Sequence, residues 1–262
     1  MSLPRSIFEV SGDTVESTVL SRGPWNPGAQ HGGAPGALLA VMADRAMAGE
    51  PGWAMSRLTL EFVRPVPVAT LRAIVTPQPG GAVRRVRVEL QHDGVTVVHG
   101  TAVYMRERPL DLAATPLAPT LPPPDACDTP LLIPGMEPQT SFHYTAMESR
   151  VAAGTVREPG PAAVWFRIAV PVVADWPITP AARAIAAADF GNGISWAVPL
   201  HRFAFANADL TVYLHRLPQG EWVAAESETI AQPNGIGLAR TTLHDELGPV
   251  GVAQQGLIFK PR

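Results

Sequence analysis

The feature that most constrains the fold is an approximate internal repeat of the chain. The segment LTLEFVRP at residues 58–65 resembles LTVYLHRL at residues 210–217, an offset of 152 (210 − 58). An Ala-Asp dipeptide that ends at Asp44 recurs at Asp189, an offset of 145 (189 − 44). In both halves an alanine-rich segment lies between strand-like segments. A chain that repeats this order is expected to contain two copies of one helix-on-sheet unit.

The hydrophobic pattern predicts an α+β fold. Helices are predicted for APGALLAVMADRAM and TPAARAIAAADF, and strands for the alternating or continuous apolar runs around them. The first-half strands are FEVSGDTVEST, SRLTLEFVRPV, ATLRAIVTP, AVRRVRVELQHD and VTVVHGTAVYM. The second-half strands are FHYTAMESRV, AVWFRIAV, ADLTVYLHRL, EWVAAESETIAQ, GIGLARTTLHD and VGVAQQGLIF. The simplest joint arrangement makes the two antiparallel sheets continuous, with both helices on one side.

A proline-rich stretch separates the two copies. Residues 107–139 show little periodicity, and proline fixes φ and removes backbone donors, so this stretch is predicted to be an extended linker across a surface. The chain is therefore divided into an N-terminal repeat at residues 1–106, the linker, and a C-terminal repeat at residues 140–262.

Composition excludes several classes of function. The 262 residues carry a formal net charge of −3 with 16% charged residues, which argues against a nucleic-acid or anionic-membrane partner. The single cysteine, Cys127, and the scattered histidines predict no disulfide and no metal site. No apolar run reaches the roughly 20 residues of a membrane span, and the first residues lack the apolar core of a signal peptide. We therefore expect a cytoplasmic protein.

Three segments give the chain a resemblance to a known family. They are WNPGAQHGGAPGALLAVMADRA, AAADFGNGISW, and ANADLTVYLHRLPQGEWVAAESET followed by GVAQQGLIFK. From about Gly23 to Lys260, excluding the linker, they resemble the acyl-CoA thioesterase II family of double hot-dog thioesterases. The resemblance implies a double hot-dog fold, an acyl-CoA substrate, hydrolysis by a water molecule, and no cofactor. We expect a homo-oligomer, a dimer of double hot-dogs.

The resemblance also implies a catalytic aspartate, hydroxyl residue and glutamine. The aspartate falls on Asp189, at a helix C-terminus where the macrodipole disfavours a carboxylate; the alternative is a solvated helix-end acid before a glycine stop. The glutamine falls on Gln254, with Gln255 as the alternative, because strand alternation turns only one of them inward. The hydroxyl position holds Asn207, which begins a predicted strand and can both donate and accept a hydrogen bond.

Substrate binding is predicted at His31, Gly32 and Gly33, just before the first helix. Glycines permit close approach of the backbone, and a helix N-terminus offers N–H groups to a thioester oxygen. For His31 a capping or packing role is the alternative. Asp44 marks either a second site or an exposed helix acid, because Gly100 stands at the aligned glutamine position. Arginines near strand ends are candidates for CoA phosphates, namely Arg57, Arg64 and Arg216.

Two other functions stay open beside thioester hydrolysis. The hot-dog fold also serves enoyl-thioester hydratases, which resemble one another through an aspartate and a histidine on the helix segment. Asp189 has no histidine within the next several residues, which counts against a hydratase. A non-catalytic acyl-binding protein would keep the pocket without turnover, and the departure at Asn207 favours that possibility. No Gly-x-Ser-x-Gly motif supports a serine-hydrolase mechanism.

Overall fold

Two helices of small residues lie side by side on one face of a single antiparallel sheet. The computed structural model describes residues 3–133 and 138–262. The helices are α1 Gly33–Ala46, α2 Pro180–Ala188 and the short α3 Gly191–Ile194. The strands are β1 Phe8–Ser11, β2 Thr14–Ser17, β3 Trp53–Phe62, β4 Thr70–Gln78, β5 Val83–His92, β6 Val95–Arg106, β7 Met147–Gly154, β8 Ala162–Ile168, β9 Phe203–Asn207, β10 Asp209–Leu214, β11 Val223–Ala231, β12 Ile236–Asp245 and β13 Gly248–Pro261. Within the described ranges, no helix is long and apolar enough to cross a membrane.

The strand order repeats itself from the centre of the sheet outward. It runs β1-β2-β4-β5-β6-β3-β10-β13-β12-β11-β8-β7, with β9 paired to β13 off this path. Each first-half strand therefore has a second-half counterpart at the same distance from the junction of β3 and β10. The predicted α+β double hot-dog fold with a continuous sheet is confirmed. The repeat boundaries at residues 106 and 140 stay predictions.

The junction between the two repeats lies on an approximate twofold axis. Thr59 on β3 stands directly opposite Thr211 on β10, and their hydroxyl oxygens are 3.3 Å apart. Their separation in the chain is 152 residues (211 − 59), the same offset that relates the two repeat segments in the sequence. Because the strands of the two copies pair here, neither copy leaves an open edge at its centre.

Helix α1 is buried through most of its length and packs antiparallel against α2. All residues from Gly33 to Ala43 are buried, as expected for a helix that is apolar on every side. A Cβ atom added at Gly33 would lie 2.9 Å from the carbonyl oxygen of Ala186, and one added at Gly36 would lie 3.0 Å from Ile185 Cγ2. The glycines therefore set how closely the two helices approach.

Three local elements differ from the sequence predictions. FEVSGDTVEST forms the hairpin β1–β2 rather than one strand, because Gly12 adopts a left-handed φ of 62° at the turn. FHYTAMESRV begins with a π-helical turn, Phe142–Ala146, before β7. Asn207 ends the additional strand β9 instead of beginning β10, so that β9 and β10 pair successively with β13.

The proline-rich segment crosses the outer surface of the second repeat. Residues 107–133 contain no strand, only the 3-10 turn Pro124–Ala126. The Trp165 indole N–H donates to the carbonyl oxygen of Pro122 at 2.9 Å, and Cys127 packs with Trp165 and Trp222. The segment therefore adds a small second core on the sheet face opposite the helices.

The helix contact generates a stability prediction. We expect Gly33→Ala to lower the free energy of unfolding by about 1–3 kcal/mol, because the added methyl group meets the Ala186 backbone, which cannot rotate away. Gly81→Ala is the matched control, since nothing lies within 4 Å of its added Cβ atom. Urea unfolding of both variants measures the difference, and equal stabilities would contradict the tight helix contact.

Candidate active site

Asp189 is buried at the C-terminal end of α2. Its residue surface is 5% exposed, and Asp189 and Phe190 form a two-residue turn with right-handed backbone angles between α2 and α3. The alternative of a solvated helix-end acid is therefore wrong. Gly191 has a steric role here, because a Cβ atom at this position would lie 3.0 Å from Gln255 Oε1 and 2.5 Å from Thr241 Oγ1.

Three side chains place a nitrogen next to the Asp189 carboxylate. Asn207 Nδ2 donates to Oδ1 at 3.0 Å, and Gln255 Nε2 donates to the same oxygen at 3.2 Å. His31 Nδ1 lies 2.9 Å from Oδ2. Donors aimed at both oxygens offset the loss of solvent around a buried negative charge.

The glutamine beside Asp189 is Gln255, and the assignment of this position to Gln254 is wrong. Gln255 is 1% exposed, whereas Gln254 points to the exposed face of β13. Gln255 Oε1 accepts a hydrogen bond from the Asn192 backbone N–H at 3.0 Å, which turns its amide nitrogen toward Asp189. Strand alternation predicted one inward glutamine, but both faces of β13 carry apolar residues, so the pattern did not say which one.

His31 and Asp189 form a pair that joins the two repeats. The Gly33 N–H also lies 3.1 Å from His31 Nδ1, but that nitrogen accepts this bond only when it carries no proton. We assign the proton to Nδ1, because the carboxylate is the stronger partner. No histidine closely follows Asp189 in the sequence, but His31 lies beside it in the structure.

Gly32 and Gly33 bring the N-terminus of α1 against Asp189, as close approach of the backbone requires. A Cβ atom added at Gly32 would lie 2.8 Å from Asp189 Oδ2 and 2.8 Å from the Phe62 ring. Any larger residue at this position would displace the carboxylate. Gly32 therefore lies directly beside the buried acid, and Gly33 lies against the Ala186 carbonyl oxygen.

Two adjacent cavities share lining residues at this cluster. The entrance cleft, about 550 Å³ in volume, opens between the segment before α1 and β9, and includes Arg64 and Lys260. The inner chamber, about 40 Å³, is walled mainly by apolar residues: Leu131, Ile133, Val156, Ile194, Trp196 and Leu200. His31, Asp189 and Asn192 line both cavities. The buried acid thus stands between an open cleft and an apolar chamber.

The repeat partner of Asp189 has different surroundings. Asp44 accepts a hydrogen bond from the Tyr104 hydroxyl at 2.7 Å, and burial raises the pKa of its carboxyl group. Extending the register of β10 and β13 places Gln255 beside Leu210, and the corresponding partner of Leu58 is Ala102. The first copy therefore has no amide at this position.

Of the three candidate arginines, Arg64 lines the entrance cleft. Arg57 lies over the Tyr213 ring, in a groove on the other sheet face. Arg216 forms a two-pronged ion pair with the buried Asp245 and also donates to the Gly248 carbonyl oxygen at 3.0 Å. Arg216 is therefore tied into the fold, and neither Arg57 nor Arg216 lines the cleft.

Solved structures share the fold over nearly the whole chain. A conserved protein of unknown function with a hot dog fold from Alicyclobacillus acidocaldarius matches with a TM-score of 0.70 and 18% identity, covering 97% of this chain and 95% of that chain. The tesB protein of Mycobacterium avium subs paratuberculosis matches with a TM-score of 0.69 and 18% identity, covering 97% and 96%. Acyl-CoA thioesterase II TesB2 from Mycobacterium marinum matches with a TM-score of 0.66 and 16% identity, covering 97% and 94%.

Family models match both halves of the sequence, although a comparison with curated proteins finds no match. The model of the acyl-CoA thioesterase N-terminal domain matches residues 21–105. The model of the acyl-CoA thioesterase C-terminal domain matches residues 123–259, which is more than half of the chain. With the same two domains in the same order, the chain belongs to the acyl-CoA thioesterase family.

Proposed function

We propose that the protein hydrolyses acyl-CoA to a free acid and CoA, with Asp189 as the group that activates water. The observation that carries this proposal is the convergence of His31, Asn207 and Gln255 on a buried carboxylate between two cavities. Burying a carboxylate at a helix end lowers the stability of the fold unless the carboxylate serves a ligand. Its place at the meeting point of an open cleft and an apolar chamber suits a thioester that spans both.

The cavities suggest how the substrate lies. Arg64 and Lys260 in the entrance cleft supply positive charge for the phosphates of CoA, while the apolar walls of the inner chamber suit the acyl group. The thioester carbonyl then lies beside Asp189 and the N-terminus of α1. In this pose the large polar part of the substrate stays near solvent.

The chemistry needs one proton acceptor and one oxyanion site. Asp189 removes a proton from water as the water oxygen bonds to the thioester carbon. The carbon–sulfur bond of the resulting tetrahedral intermediate breaks, and the thiolate takes up the proton that Asp189 holds. Asn207 and Gln255 keep the carboxylate in place, and both amides remain neutral throughout.

The N-terminus of α1 is the proposed oxyanion site. Gly32 lines the entrance cleft at this helix start, so its backbone N–H is the proposed donor to the thioester oxygen. The positive end of the α1 dipole adds to this interaction. In this proposal the predicted substrate-binding segment, which contains His31, Gly32 and Gly33, stabilises the oxyanion of the reaction.

Substitution of the acid tests the proposal directly. We expect Asp189→Asn to lower kcat for CoA release by about 10² to 10⁴, while acyl-CoA binding persists, because the amide cannot accept the proton. Asp44→Asn, at the repeat-related position, is the control and should keep the rate of the unchanged protein. The measurement is CoA release from a panel of short, medium and long acyl-CoAs. Full turnover in Asp189→Asn would contradict the role of this residue.

The two adjacent glutamines provide a second test. We expect Gln255→Ala to reduce kcat by about tenfold to a hundredfold, because Asp189 loses a donor worth about 1–3 kcal/mol. Gln254→Ala changes the exposed face of the same strand and should leave kcat unchanged. The same CoA-release assay measures both variants. Equal effects of the two substitutions would argue against the assigned geometry.

Enoyl-thioester hydration is the second candidate, favoured by the contact between His31 and Asp189. A hydratase adds water across the carbon–carbon double bond and leaves the thioester intact. Incubation with a trans-2-enoyl-CoA therefore separates the two reactions by mass spectrometry. We expect free CoA; a product one water heavier that retains CoA would favour hydration instead. Acyl-CoA binding with neither product would identify a non-catalytic binding protein.

A further inference from the structure

Asn192 is a buried polar side chain that the proposed hydrolysis does not use. It belongs to the short helix α3, is 8% exposed, and lines both the entrance cleft and the inner chamber. Its side-chain amide forms no hydrogen bond with any residue that the structure describes, and neither amide atom is sealed from the cavities. Buried polar groups are nearly always paired, so an unpaired amide that faces a cavity indicates a ligand atom.

The backbone of Asn192 is fixed beside the buried acid. Its N–H donates to Gln255 Oε1 at 3.0 Å, and Gln255 Nε2 donates in turn to Asp189 Oδ1 at 3.2 Å. The Ser195 hydroxyl donates to the Gly191 carbonyl oxygen at 2.8 Å, which holds the short helix in place. One glutamine therefore links the buried carboxylate to the residue that carries the unpaired amide.

The other polar groups of the inner chamber do not offer a free donor beside the carboxylate. Both ring nitrogens of His143 are sealed from the chamber, and the Trp196 indole N–H already donates to a backbone carbonyl oxygen at 3.3 Å. With the proton on Nδ1, His31 Nε2 can only accept a hydrogen bond, as can the Asp189 carboxylate. The Asn192 amide carries two hydrogens and is therefore the buried side-chain donor where the two cavities adjoin.

We propose that Asn192 Nδ2 donates a hydrogen bond to the thioester carbonyl oxygen and stabilises the oxyanion that forms on it. This inference rests on the proposed hydrolase function and adds a catalytic residue to it. Asn192 lines the entrance cleft together with Gly32 and Asp189. The Gly32 N–H of the first repeat and the Asn192 amide of the second repeat then bind the same oxygen.

A neutral amide suits each stage of the reaction. As the water oxygen bonds to the thioester carbon and Asp189 takes the water proton, the carbonyl electron pair moves onto oxygen, where Asn192 meets the new negative charge. The pair returns to the carbonyl when the carbon–sulfur bond breaks, and the thiolate takes the proton from Asp189. Because the hydrogen bond strengthens as charge builds on oxygen, the amide lowers the barrier more than it tightens substrate binding.

Replacement of Asn192 in the whole chain tests the role. Leucine has the same branching as asparagine and no polar atom, so it fills the same space without a donor. We expect Asn192→Leu to lower kcat/KM for CoA release by about 10² to 10³, mostly through kcat, as for the loss of one oxyanion donor. Asn192→Ala, which adds no bulk, should lose the same factor. Asn234→Leu, in the exposed turn between β11 and β12, is the control and should keep the rate.

Two unreactive analogues measure the contact with the carbonyl oxygen itself. In the ketone analogue a methylene group replaces the sulfur of acyl-CoA, and in the thioether analogue a methylene group replaces the carbonyl. The quantity measured by titration calorimetry is the ratio of their Kd values, thioether over ketone. We expect Asn192→Leu to lower this ratio by about fivefold, which corresponds to the loss of one hydrogen bond.

The outcomes separate the role of Asn192 from the hydrolase function. Because its side chain has no protein partner, we expect the Tm of Asn192→Leu to equal or exceed that of the unchanged protein. Unchanged kcat in both Asn192 variants, or a Kd ratio that survives Asn192→Leu, would overturn the inference even if the protein hydrolyses acyl-CoA. If no thioester is hydrolysed but the ratio falls in Asn192→Leu, Asn192 binds the carbonyl and the hydrolase proposal alone fails.

Discussion

The close approach of the α1 N-terminus to the α2 C-terminus is the constraint on which the site depends. Gly32 and Gly33 leave no room for a side chain between the first helix and the second, and the space they leave is taken by Asp189 and the Ala186 backbone. The negative end of the α2 dipole disfavours the Asp189 carboxylate, and the positive N-terminal end of α1 lies opposite it. One steric requirement therefore brings a buried carboxylate and the N-terminus of a helix together.

The approximate twofold axis through Thr59 and Thr211 creates two equivalent helix ends, but only one carries the full cluster. At the end of α2, amide side chains and an imidazole surround Asp189. At the end of α1, Asp44 bonds to the Tyr104 hydroxyl, and Ala102 stands where the second copy has Gln255. Fusion of two copies in one chain permits this divergence, because each position is encoded separately, whereas a symmetric pair of identical chains would keep both sites the same.

The inner chamber adds a second asymmetry. His143, on a π-helical turn of the second repeat, faces His31 from the first repeat across the cavity. An unpaired buried imidazole costs stability in the free protein, and proteins retain such costs mainly at functional sites. Nothing in the local sequence marks His143, since it precedes a strand in a segment that otherwise has an ordinary apolar pattern. Its position beside His31 comes from the way the two repeats pack together.

The sequence by itself determined the two helix-on-sheet copies, the helices and most of the strands, because periodicity and the offset of 152 residues are properties of the chain. The double hot-dog fold was implied by the resemblance of three of its segments to a known family. The sequence also drew attention to Asp189 as a candidate, an acid at the end of an alanine-rich helix. Only the tertiary structure decided between Gln254 and Gln255, since β13 is apolar on both faces and its register depends on β10 and β12. The contact of His31 with Asp189 likewise joins residues of different repeats. Such pairings are set by how the helices and sheet pack in three dimensions, and no local pattern records them.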